Sequence, residues 1–169
     1  MAGMLGAVTA SDGTGELAAA ATDARAELET LYANHAAALT RALHAAGYPD
    51  AADAVQEAFV QAVVHWRKVS RYDDPLAWVR RVAINRGHNR WRSRQRQKAL
   101  AQRLADTAPP APTPSLPQQQ RLALSLFYFA DLSVAEVADA MELSAGAVKY
   151  HLHAARTSLA RALEIRDDS

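Results

Sequence analysis

No cysteine occurs among the 169 residues, which removes disulfide frameworks, thiolate catalysis and every cysteine-based zinc or iron–sulfur site. Net charge is nearly absent too: nineteen Lys and Arg stand against eighteen Asp and Glu, so the total says nothing about partners. Long apolar runs are missing. The most hydrophobic neighbourhood, Leu122 to Ala130, is interrupted by Ser125 and falls far short of the ~18 to 20 residues that cross a bilayer, so no membrane span is expected. Met1 to Ala10 carries no basic residue ahead of its weakly apolar stretch. It does not read as a secretory leader, and a cytoplasmic location is the expectation.

Chemical machinery is equally scarce. Gly13-Thr14-Gly15 lacks the preceding strand and third glycine of a phosphate-cradling loop. His151 and His153 project about 200° apart on a helix and cannot share a metal, and His35, His44, His65 and His88 have no ligand spacing. Acids such as Asp50 and Asp53 form no catalytic pair. The expectation is a protein without metal, cofactor or enzymatic activity.

What is present is an uneven distribution of charge. Residues 1 to 66 hold two basic and eight acidic side chains, 67 to 103 hold twelve and two, and 104 to 169 hold five and eight. A block this basic inside a neutral chain is the footprint of a polyanion site, because each cation that meets a phosphate releases condensed counterions. A solvated arginine-rich helix face is the bland alternative.

The hydrophobic half of the composition suffices for one mid-sized domain or two small ones with cores of their own. Residues 1 to 24, mostly Gly, Ala, Ser and Thr with little periodicity, predict a disordered tail. Residues 25 to 104 follow a helical pattern broken at Gly47 to Asp50 and at Ser70 to Pro75, which predicts three helices. Residues 105 to 115 contain Pro109, Pro110, Pro112 and Pro114 and predict an extended spacer of roughly 30 to 35 Å. Residues 116 to 169 make the second domain, helical again from Leu116 to Leu163. The fold expected is all-α: two small helical domains joined by a Pro-rich linker.

The second domain has the grammar of a helix-turn-helix. Ser133 and Glu136 form a capping box, with Leu132 and Val137 as its hydrophobic staple. Val134, Val137, Ala138 and Met141 give one apolar stripe. Ser144 then caps a second helix, in which Val148, Leu152, Ala155, Leu159 and Leu163 predict a continuous buried stripe. Gly146, Lys149, Tyr150, His153 and Thr157 lie away from it. Gly146 lets the backbone approach a phosphate, and the others reach phosphates or base edges.

Two faces of the first domain are unusual. Between Asp53 and Trp66, the residues Val55, Phe59, Ala62, Val63 and Trp66 share a core-facing arc. Asp53, Gln56, Glu57, Val60 and Val64 lie opposite. Valines beside carboxylates suit a docking surface for another protein, or for a neighbouring helix of the same bundle. The next helix opens at Asp74-Pro75. Leu76, Val79, Val82 and Ala83 form its core stripe, and Arg80, Arg81, Ile84, Asn85, His88, Trp91 and Arg92 occupy the opposite arc. Flat apolar groups among cations fit an open surface on which unstacked bases rest. Trp78, at the edge of the core stripe, reads as structural.

These segments resemble bacterial sigma factors of the extracytoplasmic-function (ECF) type, across about residues 28 to 163. Asp53-Ala-Val-Gln-Glu57-Ala-Phe59 resembles the segment that binds the clamp helices of RNA polymerase. Asp74-Pro-Leu-Ala-Trp78-Val-Arg80-Arg-Val-Ala-Ile-Asn85-Arg86 with Trp91-Arg92 resembles the segment that melts and reads the minus-ten (−10) element. Leu116-Pro-Gln-Gln-Gln-Arg121, Leu132 to Ala138 and Gly146 to Arg156 resemble the domain that reads the minus-thirty-five (−35) element.

The resemblance implies a sigma factor that directs core RNA polymerase to promoters and assists their melting. Asp53, Gln56, Glu57 and Val60 would meet the polymerase, and the loop Ser70 to Asp74 would hold a flipped base. Arg80, Arg81, Asn85, His88, Trp91 and Arg92 would hold the melted strand. Lys149, Tyr150, His153 and Arg156 would work at the upstream duplex. An anti-sigma factor is a further partner the family implies. His151 and Ala154 stand where family members commonly carry arginine, which implies a weak, pH-sensitive phosphate grip. Two rival readings remain at this point: a helix-turn-helix regulator whose N-terminal domain senses a ligand or dimerises, and an enzyme acting on nucleic acid.

Overall fold

A computed structural model describes residues 12–105 and 115–167 of the chain. Among them the architecture is all-α, with six helices: α1 (Asp12–Ala45), α2 (Ala51–Val69), α3 (Pro75–Leu104), α4 (Gln118–Phe129), α5 (Val134–Met141) and α6 (Ala145–Asp167). The expected breaks at Gly47 to Asp50 and Ser70 to Pro75 fall between α1, α2 and α3. The tail expected over residues 1 to 24 is corrected in part: α1 is already helical at Asp12, in keeping with the strong helix propensity of the Ala18 to Ala21 run. Residues 1 to 11, and the spacer from 106 to 114, lie outside the described residues.

Local chemistry sets the corners. Gly47 at φ +90° ends α1 in a Schellman motif: its N–H donates to His44 O at 2.9 Å, and Tyr48 N–H donates to Leu43 O at 3.1 Å. Tyr48 is thereby driven into the core. At α3 the Asp74 side chain accepts from Ala77 N at 3.0 Å and Pro75 takes the first helical position. The capping box is formed as expected: Ser133 Oγ accepts from Glu136 N at 3.2 Å and Glu136 Oε2 accepts from Ser133 N at 2.9 Å. At the end of α5, Glu142 occupies the left-handed region at φ 56°, a conformation that favours glycine.

The expectation of separate cores gives way to one continuous core. Leu39, Leu43, Tyr48, Val55, Phe59, Trp66 and Val79 join Leu122, Leu126, Val137, Val148 and Leu152 in a single buried cluster. The merger comes from α4 packing on α1 and α5 packing on α3. Two core expectations fail at the edges. Val63 is 63% exposed, and Leu159 and Leu163 are exposed as well. α6 is longer than both α4 and α5, so the stripe of Val148, Leu152 and Ala155 continues past the helices that cover it.

Candidate nucleic-acid and polymerase interfaces

The side of α3 expected to be open is open only in part. Ile84 is 5% exposed and Arg80 8%, because α5 and α1 also pack on this helix, whose other side meets α2. Ile84 is therefore core, which corrects its place on an open face. Arg80 Nη1 lies 3.3 Å from Glu136 Oε1 and 3.8 Å from Asp74 Oδ2. Arg81 is half-buried: Nη2 lies 2.7 Å from Asp139 Oδ1 and Nε lies 3.7 Å from Glu142 Oε1. Farther along, Asn85 and Arg92 are exposed.

His88 and Trp91 lie between these extremes. Both are half-buried, and their rings lie 5.7 Å apart at 32°. The Tyr48 hydroxyl sits 3.4 Å from His88 Nδ1, and the Tyr48 ring rests on α3 at Gly87, where a Cβ would meet it at 3.4 Å. Tyr48 thus props His88, and His88 props Trp91. Burial, and then the nearby Arg92, holds His88 below the ordinary histidine range, so the neutral ring is the favoured form.

The Ser70 to Asp74 loop expected to hold a base borders a cleft of about 730 Å³ lined by Tyr72, Asp74, Trp78, Arg80 and Arg81, whose other wall, Ala135, Glu136 and Asp139 of α5, the sequence did not reveal. Trp78 faces it half-buried. The signal available was an aromatic residue at Tyr72 and another at Trp78 flanking a helix cap.

On α2, Asp53, Gln56 and Val60 are exposed and Glu57 is half-buried. The acids are not free: Glu57 binds Arg90 and lies 3.8 Å from Arg86, and Asp53 lies 3.8 Å from Arg90. Val60 and Val63 line an apolar groove with Leu28, Tyr32, Phe59 and Trp66.

On α6, Lys149, Tyr150 and His153 are exposed and His151 is half-buried. Arg156 is exposed, but its guanidinium lies 5.6 Å from the centroids of both the Phe127 and Tyr128 rings and its Nε donates to Tyr128 Oη at 3.1 Å. It is held by α4 more firmly than the other three are held by anything.

Comparison with known proteins turns this geometry into a family. The model of Sigma-70 region 2 matches residues 31–97, and that of Sigma-70, region 4, matches residues 114–159. The RNA polymerase sigma-E factors of Streptomyces avermitilis and Streptomyces antibioticus are each 30% identical over 131 residues, covering 70% of this chain and 73% of theirs. The solved structure of CnrH in complex with the cytosolic domain of CnrY aligns with a TM-score of 0.62 at 28% identity, covering 88% of this chain and 94% of that one. The chain belongs to the ECF group of sigma-70 factors.

Family membership places the site in transcription initiation. This sigma factor binds core RNA polymerase and promoter DNA and directs the enzyme to promoters. The rival ligand-responsive regulator is thereby set aside. It is a regulatory initiation factor. None of the helices described is long and apolar enough to cross a membrane, and no group of three or more His, Asp or Glu among the described residues could hold a metal.

Proposed function

We propose that the faces divide the work of initiation in the cytoplasm, by binding and without catalysis. Asp53, Gln56, Glu57 and Val60 on α2 dock on core polymerase. Asn85, His88, Trp91 and Arg92 hold the melted −10 strand, joined by Arg80 and Arg81 once α5 moves off them. The Tyr72–Trp78 cleft takes a base flipped from the stack. Lys149, Tyr150, His153 and Arg156 work at the −35 duplex, with Arg156 contributing while braced on Tyr128. An anti-sigma factor is a further partner, in line with CnrH having been solved with CnrY.

The observation that carries this reading is the Trp91–His88 stack with Arg92 and Asn85 exposed beside it. A strand without a complement needs a flat apolar platform and adjacent cations, and both are supplied on one side of one helix. The test is run-off transcription on restriction-cut chromosomal DNA with purified core polymerase, with the 5′ ends of the RNA mapped. Discrete transcripts are expected only when both proteins are present. Transcripts from core alone at the same starts, or tight duplex binding with no polymerase dependence, would overturn the proposal.

A further inference from the structure

The proposed function gives Trp91 the task of holding an unstacked base, and this inference rests on that reading. A flat ring by itself accepts any base. Beside the indole, however, stands a histidine whose two ring nitrogens have different surroundings. His88 Nδ1 lies 3.4 Å from the Tyr48 hydroxyl. His88 Nε2 makes no hydrogen bond among the described residues. Unlike Nδ1 of His151 it is not buried without a partner, so it meets solvent.

Tyr48 decides which nitrogen carries the hydrogen. The residue is 1% exposed, so its hydroxyl proton needs an acceptor inside the fold. From α4 the oxygen is faced by two donors, the Gln118 amide and the Arg121 guanidinium. The Gln118 Oε1 already accepts from Arg121, which leaves only its N–H groups. The acceptor the fold supplies is His88 Nδ1, across a long contact. Burial, and then Arg92, favour the neutral imidazole. A neutral ring that accepts at Nδ1 carries its hydrogen on Nε2.

Orientation is set by the same contacts. The turn at Gly47 directs Tyr48 inward, its ring lies where a Cβ on Gly87 would meet it at 3.4 Å, and it meets the His88 ring at 79°. The His88 ring is tilted only 32° from the indole. An in-plane N–H on such a ring runs close to the plane of a base stacked on Trp91, and so addresses the edge of that base rather than its face. Tyr48, His88 and Trp91 all lie within the residues 31–97 matched to region 2, so the arrangement is internal to the first domain.

We propose that Tyr48 is a positioning residue and His88 a specificity-determining one: the phenol holds Nδ1 inward, Nε2–H is presented outward as a donor, and the pair selects a keto base over an amino base on the Trp91 platform. O6 of guanine or O4 of thymine accepts such a hydrogen, whereas the amino group of adenine or cytosine at the corresponding position offers only hydrogens. The opposite tautomer would reverse the choice, because an outward lone pair accepts from an amino group.

Nitrogen-15 NMR of full-length protein labelled at histidine reads the tautomer, and His88→Phe assigns the signal by its loss. Selection is read with holoenzyme reconstituted on purified core polymerase. The probe is a pool of 12-nucleotide single strands randomised at six central positions, and the bound fraction is sequenced. Expected are hydrogen on Nε2 and one position where guanine and thymine exceed adenine and cytosine by about two- to tenfold, the worth of one hydrogen bond. Tyr48→Phe keeps the ring and removes the hydroxyl; it is expected to bring that position close to equality while preferences elsewhere persist. His88→Phe is expected to do the same. Hydrogen on Nδ1, no keto-selecting position in the wild type, or an unchanged preference in either variant overturns the proposal. So does an even loss at every position in Tyr48→Phe, which is the mark of a structural role alone. Run-off transcription separates the two readings: intact run-off without keto selection sinks this inference alone, whereas absent run-off sinks the proposed function and the inference with it.

Discussion

Replacing Trp91 by alanine separates a platform for bases from a piece of the core. The ring is half-buried, packed on the core cluster by one side and leaning on His88 at 5.7 Å. A fully buried tryptophan cut to alanine costs ~3 to 5 kcal/mol, so about half of that, roughly 2 kcal/mol, is the expected structural loss. For a chain of this length that corresponds to a fall in Tm of about 4 to 8 °C. Stacking of one base on an aromatic ring contributes ~1 to 3 kcal/mol, which converts to a roughly 5- to 150-fold loss at the step where the strand is unpaired. The two quantities are read by different assays. Tm comes from calorimetry. Opening comes from permanganate reactivity of unpaired thymines at 25 °C, with duplex binding measured in parallel by the same holoenzyme. Trp91→Ala is expected to lower opening far more than duplex binding, with Trp91→Phe restoring most of it. Equal loss at both steps, tracking the fall in Tm, would refute the platform and assign the ring to the core.

Two other predictions test separate elements. If Lys149 meets a phosphate, Lys149→Ala lowers the slope of log affinity against log salt by about 0.9 and weakens all duplex sequences alike; an unchanged slope removes Lys149 from the phosphate contacts. His35, half-buried on α1, is held below the ordinary histidine range by burial first and then by Arg80, with Asp74 and Glu136 opposing. Its neutral form is favoured in the folded state, so its contribution is complete above the unfolded value of about 6.5 and is lost as pH falls through the lower folded value. His88 acts in the same direction. Glu136 is held below the usual carboxylate range by the Ser133 N–H, helped by the Ser133 hydroxyl and by Arg80, so its contribution is lost only in more acid solution. Tm is therefore expected to fall between pH 6.5 and 5, with a shallower slope in His35→Gln; a flat profile in the wild type, or an unaltered slope in the variant, contradicts this.

What could be read from the chain was whatever is decided locally. The cap at Asp74, the box at Ser133 and Glu136 and the breaks at Gly47 and Ser70 each depend on residues within one turn of one another. All of them appear in the structure. The error at Arg80 and Ile84 has a different origin. Periodicity assigns a helix one buried side, and α3 has two, because α5 arrives from more than fifty residues away. No pattern within α3 records that arrival. The excess of acid over base after residue 103 is the one available signal, since it complements the basic block in sign. Leu159 and Leu163 fail for the complementary reason: the stripe is real, but the partner helices end before it does. The mixed acidic and apolar face of α2 was legible, whereas the pairing of Glu57 with Arg86 and Arg90 was not.

The arginines of α3 fall into three groups by the partner each has, and the grouping explains why a neutral protein concentrates so much positive charge in one helix. Arg86, Arg90 and Arg94 pair with Glu57, Asp53 and Asp50 at the start of α2. Those helices are joined by a five-residue connection and share a core, so these pairs persist whatever the other domain does. They hold the backbone that presents Trp91. Arg92, Arg96 and Arg103 are exposed and without an ion pair among the described residues. Arg80 and Arg81 alone depend on α5, which reaches them from the far side of the segment 106–114. Both sit at the Tyr72–Trp78 cleft. A uniform basic surface would bind any nucleic acid with a strength set by salt. In this chain the carboxylates of α5 stand at the cleft and those at the start of α2 stand behind it, so the positive charge of α3 without an ion pair among the described residues is confined to the stretch from Arg92 to Arg103.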